Sequence, residues 1–245
     1  SISVLKVGRQ LAGSKLAVAA FFMPLLFQSC IRDEDPVAPY QAGNIRSRTL
    51  VMGTDYRTQL FYNIAADSVI AFGNKNDWDL AFSCAYTEGG VVMLNQARYM
   101  FAWNTNRTNV SSSDTMGFFG NRRWDAANRP DSLAIGNVKN KTTDFWIDRG
   151  LDENGDPLPL EKVTFVNVDY QKYRIKVQHQ GEATAQEFEI QKDTNYNFIH
   201  FSLANRRTVA VEPPKKKWDL AFTQYMHTFT DPYTPYLVTG VLLNA

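Results

Sequence analysis

The sequence predicts an all-β fold, an antiparallel β-sandwich-like domain with an internal repeat of one strand unit. Three observations predict it. Trp78-Asp79-Leu80-Ala81-Phe82 recurs as Trp218-Asp219-Leu220-Ala221-Phe222, 140 positions later. Short runs of strand-forming residues, separated by polar and Gly-containing turns, dominate the chain after residue 48. No amphipathic helix of three or more turns appears there.

The repeat extends beyond the pentapeptide. With the same offset and no gaps, Phe61 falls on Phe201, Val69 on Val209, Lys75 on Lys215 and Ser83 on Thr223. In each copy a strand ends, a polar turn follows (Gly73 to Asp77; Glu212 to Lys217), and a second strand begins at the Trp. Trp, Leu and Phe occupy i, i+2 and i+4, one face of a strand, with Asp and Ala on the other. Trp78 and Trp218 are therefore expected to anchor a sheet core. Asp79 and Asp219 could suggest paired catalytic carboxylates, but their place beside a core Trp predicts hydrogen bonding at strand starts.

The first element of the chain is an export signal. Lys6, Arg9 and Lys15 form a basic region with no acidic residue before Cys30, and Leu16 to Phe27 is an apolar run too short to span a bilayer. Ser29 before Cys30 is the arrangement of a bacterial lipoprotein signal, loosened by Phe27 and Gln28. Several acyl chains on Cys30 would anchor the protein stably; an ordinary secretory signal cut near Cys30 is the alternative. Asp33-Glu34-Asp35-Pro36 then opens an acidic, Pro-containing tether. The expected organisation is a signal peptide at 1–29, lipidated Cys30 and tether at 30–48, and an all-β domain at 49–245. The start at Ser1 and the strand stopping abruptly near Ala245 fit a chain incomplete at either end.

The expected strands follow in order. Leu60 to Ile64, Ser68 to Phe72 and Trp78 to Tyr86 form the first copy of the repeat, and Gly89-Gly90 turns into Val91 to Leu94. Gln96 to Trp103 reads as strand or aromatic loop. Residues 104–141 are polar and irregular, with aromatic islands at Phe118-Phe119 and Trp124, a composition suited to a binding loop. Asp144 to Ile147, Val163 to Tyr170 and Tyr173 to Gln178 resume the alternation. Glu187 to Gln191 and Asn197 to Leu203 flank Lys192-Asp193-Thr194-Asn195 and predict a hairpin. The second copy closes with Tyr236 to Leu243.

Charge and motifs exclude several functions. The chain carries 26 basic and 25 acidic residues; removing Lys6, Arg9 and Lys15 with the signal leaves 23 against 25. Near-neutrality argues against nucleic acid, which requires a cationic excess. With Cys30 lipidated, Cys84 stands alone and is read as a buried small hydrophobe. Asp152-Glu153-Asn154-Gly155-Asp156-Pro157 begins like a calcium loop, but Pro157 and Val163 stand where Gly and the bidentate Glu belong, so a tight turn is expected. Hydrolase, zinc and phosphate-loop motifs are missing, and His179, His200 and His227 lack metal-ligand spacing. The sequence predicts no enzyme and no structural metal.

Lipoprotein signal, acidic tether, all-β pattern and Trp-Asp-Leu-Ala-Phe strands together resemble the HmuY-like haem-binding lipoproteins of Bacteroidetes. The likeness is concentrated in Gln59 to Phe82 and Lys217 to Tyr225, about a third of the chain. It implies an antiparallel HmuY-type domain at the outer face of the outer membrane. It also implies haem b as ligand, iron held axially by His or Met, and delivery to a TonB-dependent receptor in iron acquisition. No family ligand position can be carried over, since Ser83-Cys84-Ala85 follows Phe82 without a nearby His. From the residues themselves, Met226 and His227 beside Tyr225 are the leading axial candidates, with Met226 pointing inward on the Trp218-Leu220-Phe222 face and His227 outward. Met93 and Met100 are the second pair, and Arg98 is a candidate propionate partner. A glycan, or accessory service to a transporter, is the alternative, with Trp103, Trp124 and Trp146 as stacking candidates.

Overall fold

The computed structural model describes residues 43, 47–85, 89–104 and 122–244. The signal segment, Cys30, most of the tether, Tyr86 and Phe118-Phe119 lie outside the described residues. The chain divides into two units, Ser1–Thr49 and Leu50–Ala245, and the second carries every strand named below.

Fourteen strands are formed among the described residues, with a single 3-10 turn at Lys75–Asp77 as the helical element. The first five are β1 Thr58–Asn63, β2 Ser68–Asn74, β3 Leu80–Ser83, β4 Val91–Leu94 and β5 Phe101–Asn104. Next come β6 Gly136–Asn137, β7 Thr143–Asp148, β8 Glu161–Val168, β9 Lys172–His179 and β10 Gln186–Gln191. β11 Phe198–Ser202, β12 Arg207–Val209, β13 Leu220–Thr230 and β14 Tyr233–Leu243 complete the chain. They form three antiparallel sheets, an arrangement consistent with a β-sandwich, in the orders β10-β9-β8-β7-β5, β12-β11-β3-β4-β6 and β14-β13-β1-β2.

The main core lies between the first two sheets, and strand alternation builds it. Phe145, Ile147, Val163, Phe165, Tyr173, Ile175 and Val177 point inward from one sheet to meet Leu80, Phe82, Val92, Leu94 and Phe201 from the other. Phe82 is fully buried and packs edge-on against Tyr173, with ring centroids 5.0 Å apart. The Tyr173 hydroxyl donates to the Ser83 carbonyl at 2.8 Å, so its polar end is satisfied inside the core. β3 is buried on both faces, because Ala81 and Ser83 turn toward the third sheet. Cys84, as expected, is a buried free thiol.

The two Trp-Asp-Leu-Ala-Phe segments make matching contacts. β3 pairs with β11 and β13 pairs with β1, so each segment joins the hairpin that precedes the other. Asp79 accepts the Leu203 N–H at 2.7 Å, and Asp219 accepts the Ile64 N–H at 2.7 Å, the strand-start hydrogen bonding expected of both. Asn95 donates to the carbonyls of Lys75 and Trp78, and Asn244 donates to those of Lys215 and Trp218. Trp78 and Trp218 are each 8% exposed. Trp78 meets His200 edge-on and Trp218 meets Phe61.

Four expectations need correction. Glu187 to Leu203 is not a hairpin: β10 pairs with β9, whereas β11 pairs with β3 and β12. The Asp193 turn is real, with the Tyr196 N–H on the Asp193 carbonyl, but it carries the chain from one sheet to the other. The gap-free offset misplaces the hairpins by one residue. Ala81 pairs with His200 and Ala221 with Phe61, so Phe61 corresponds to His200 rather than Phe201. In β13 the inward face changes along the strand: Ala221 and Thr223 are buried, then Met226 and Thr228, while Leu220 and Phe222 are only half-buried. The far half packs on a different neighbour, with the Ala127 N–H on the Met226 carbonyl and Trp124 on Thr228. Finally, strand structure in Gln96 to Trp103 is confined to β5, because Asn95 draws residues 95–100 into tight turns.

Candidate functional site

A cleft of about 570 Å³ opens beside the first Trp-Asp-Leu-Ala-Phe segment. A volume in this range suits a small-molecule ligand. Asp55, Asp152 and Glu153 line it together with four cations from four places in the chain: Arg57 before β1, Lys75 after β2, Arg98 after β4 and Arg149 after β7. Local structure fixes each of these cations. Asn74 caps the 3-10 turn by accepting the Asn76 N–H, and the Lys75 N–H closes onto the Arg57 carbonyl at 2.8 Å. Asn95 holds the Lys75 carbonyl and positions the turn that carries Arg98. Gly150 has φ +78°, and a Cβ there would come within 2.7 Å of the Tyr99 carbonyl oxygen, so only glycine lets these two loops meet.

Asp79 lies beneath the cleft, behind Arg98 and Arg149 rather than in its lining, and is fully buried. One carboxylate oxygen accepts from Arg98 at 3.0 Å and from Arg149 at 2.9 Å, and the other accepts from the Leu203 backbone. Arg98 also donates to the Arg149 carbonyl at 2.8 Å. Lys75 lies nearby with its ammonium on the Gln224 side-chain oxygen. Burial, helped by the Arg98 charge, pulls this ammonium down to about 8. Lys75, Arg98 and Arg149 are thus cations of low exposure, where screening is weak, with Asp79 on both guanidiniums and the buried Glu161 also acting on Arg149. At the rim Arg57 pairs with Glu153 at 2.9 Å and with Asp55 at 3.6 Å. Tyr99, Leu151, Leu158 and Leu237 supply apolar wall.

The sequence-predicted ligands are not gathered in this cleft, except for Arg98. Met100 is fully buried within the main core, and Met226 is 1% exposed, its backbone bonded to those of Gln96 and Ala127. Met93 lines a separate cavity of about 140 Å³ between the second and third sheets, below the size of a typical ligand pocket. His227 is half-buried and faces Asn128 and Phe229. These four do not share a cavity of haem size. Among the other histidines, His179 pairs with Glu161 at 2.6 Å and His200 is buried. Asp152 makes the expected turn, its carboxylate accepting the N–H groups of Asn154 and Asp156. Trp103 and Trp146 are buried cross-strand partners, whereas Trp124 is half-buried against Tyr233.

Comparison with protein-family models, with curated proteins and with solved structures finds no match.

Proposed function

We propose that this chain is a non-enzymatic, surface-anchored lipoprotein that holds an anionic ligand in the Asp79 cleft. The observation that carries the reading is the clustering of Lys75, Arg98 and Arg149 in one cleft, with the Lys75 ammonium held by the neutral Gln224 side chain rather than by a carboxylate. Haem b is the ligand that the resemblance to HmuY-like proteins favours, and its propionates suit such a cluster. Lys75 and Arg57 would hold the propionates, Leu151 and Leu237 would cover the porphyrin face, and the Tyr99 phenol is the oxygen donor beside it. Haem, when bound, would supply the iron that the protein acquires. Delivery to a TonB-dependent receptor, anchoring through lipid on Cys30, and an outer-membrane address belong to the same proposal. So does the reading of the matching contacts as two copies of one duplicated, HmuY-type unit.

Haemin titration of the full chain tests this reading. Saturable one-to-one binding should weaken at least tenfold in Lys75→Ala with Arg57→Ala. Retention of affinity there, with loss in Met226→Ala with His227→Ala, would return the site to β13. A glycan remains the second reading because Phe229, Tyr233 and Tyr236 are 46, 56 and 60% exposed along the β13–β14 hairpin. Rings displayed in this way suit sugar faces, and retardation in a polysaccharide gel would identify that ligand class.

A further inference from the structure

The 140 Å³ cavity between the second and third sheets has a chemistry separate from the cleft. β11, β3 and β4 are consecutive neighbours, and His200 pairs with Ala81 while Ala81 pairs with Met93. The three residues therefore form one cross-strand row on one face, with the smallest side chain in the middle. Strands lie about 4.8 Å apart, so the His200 and Met93 backbones are separated by roughly 10 Å across Ala81. A thioether and an imidazole can lean toward each other over the Ala81 methyl and leave room for one small ion. Trp78 closes one side, its ring centroid 4.5 Å from that of His200.

We infer that Trp78, Met93 and His200 form a binding site for a soft monovalent metal ion, Cu(I) in particular. Thioether and imidazole are the ligand types that select Cu(I), whereas hard divalent ions prefer carboxylate and water. No carboxylate lines the cavity. His200 is 6% exposed, and neither of its ring nitrogens has a hydrogen-bond partner among the described residues. The ring nitrogens are not fully shut off from solvent, so a lone pair is open to an ion that enters the cavity. Met93 is only half-buried, which leaves a route of entry. The matching position of the other hairpin is Phe61, which packs on Trp218 as His200 packs on Trp78. The imidazole and the thioether thus stand where the second arrangement is wholly apolar.

The test is competition for Cu(I) between bicinchoninate and the full chain, with Cys30 and Cys84 replaced by serine in every sample to remove thiol ligands. One equivalent of Cu(I) should transfer to the protein, with quenching of Trp fluorescence. Met93→Leu and His200→Phe, both of similar volume to the native residue, should each weaken binding at least tenfold while circular dichroism stays unchanged. If either variant unfolds, X-ray absorption of the Cu(I)-loaded parent decides, with one sulfur and one imidazole nitrogen expected in the first shell. Failure to withdraw Cu(I) from bicinchoninate overturns the assignment. So does equal affinity in folded variants, a sulfur-free first shell, or Zn(II) binding at the same residues with comparable strength.

Discussion

Replacing Asp79 with asparagine should be the most damaging conservative change in the fold. The carboxylate is fully buried, and one of its oxygens neutralises both Arg98 and Arg149, whose side chains are only 8% and 7% exposed. An amide in its place would keep the shape and one acceptor but leave two guanidiniums buried without a counter-charge. Breaking a buried pair in this way costs about 3–5 kcal/mol, a large share of the roughly 5–15 kcal/mol that holds a domain together. Asp219 supplies the internal control. It accepts the equivalent strand-start N–H from Ile64, and an amide there could still accept that bond, so Asp219→Asn should cost about 1 kcal/mol or less. Urea unfolding followed by far-UV circular dichroism would separate the two. Asp79→Asn should lower the midpoint by about 1–2.5 M at unchanged slope, since slopes rise with size and a domain of this length falls near about 2–3 kcal/mol per M. Adding Arg98→Met should recover part of the loss by removing one stranded charge. A cost under about 1.5 kcal/mol, or equal costs for the two substitutions, would refute the electrostatic argument.

Other outcomes follow from the same structure. Trp78→Ala and Trp218→Ala should each cost about 3–5 kcal/mol in urea unfolding. The phenylalanine variants should differ: Trp78→Phe strands the Gln59 oxygen that accepts the indole N–H, costing about 1–3 kcal/mol more, whereas the Trp218 N–H has no partner to lose. Burial raises the Glu212 carboxyl from 4.5 to about 7. The folded chain therefore binds more protons than the unfolded chain between these values, and Glu212 lowers stability as pH rises across that window. Glu212→Gln should flatten the fall in melting temperature between pH 5 and pH 7; an unchanged profile would assign the slope elsewhere, with Asp125, raised to about 6, the first alternative. Cys30→Ala should abolish labelling by a palmitate analogue and release the protein from membranes, and persistent label would rule out that anchor.

Most strands were legible because a half-buried strand writes its two faces into the sequence. Val163, Phe165, Tyr173, Ile175 and Val177 alternate with polar residues, and all five face the main core. Pairing partners were less legible, because pairing is a long-range property. The Asp193 turn resembles a hairpin turn whether the next strand returns to β10 or crosses to another sheet. The one-residue slip between the repeats leaves its physical trace at the turns. Asp67 and Arg206, 139 positions apart, both adopt positive φ, although Ala65-Ala66-Asp67 and Ala204-Asn205-Arg206 share only their first residue. Asp79 was readable as a strand-start acceptor, but not as the carboxylate beneath a cleft. Arg98 and Arg149 reach it from 19 and 70 positions away, and nothing in their local sequence marks either as buried. Met226 is buried, but through the change of inward face along β13 rather than on a face shared with buried Leu220 and Phe222, and it is closely packed rather than facing a ligand cavity.

The most direct measurement of the central claim compares haemin with iron-free protoporphyrin IX, each titrated into the full chain at low and high salt. If the cationic floor of the Asp79 cleft holds the ligand through its carboxylates, both porphyrins should bind with affinities within a few-fold of each other. Both should weaken as salt screens the exposed part of the interaction, and both should fail in Lys75→Ala with Arg57→Ala. Binding of haemin alone, insensitive to those two residues, would contradict the account, as would the absence of saturable binding by either porphyrin.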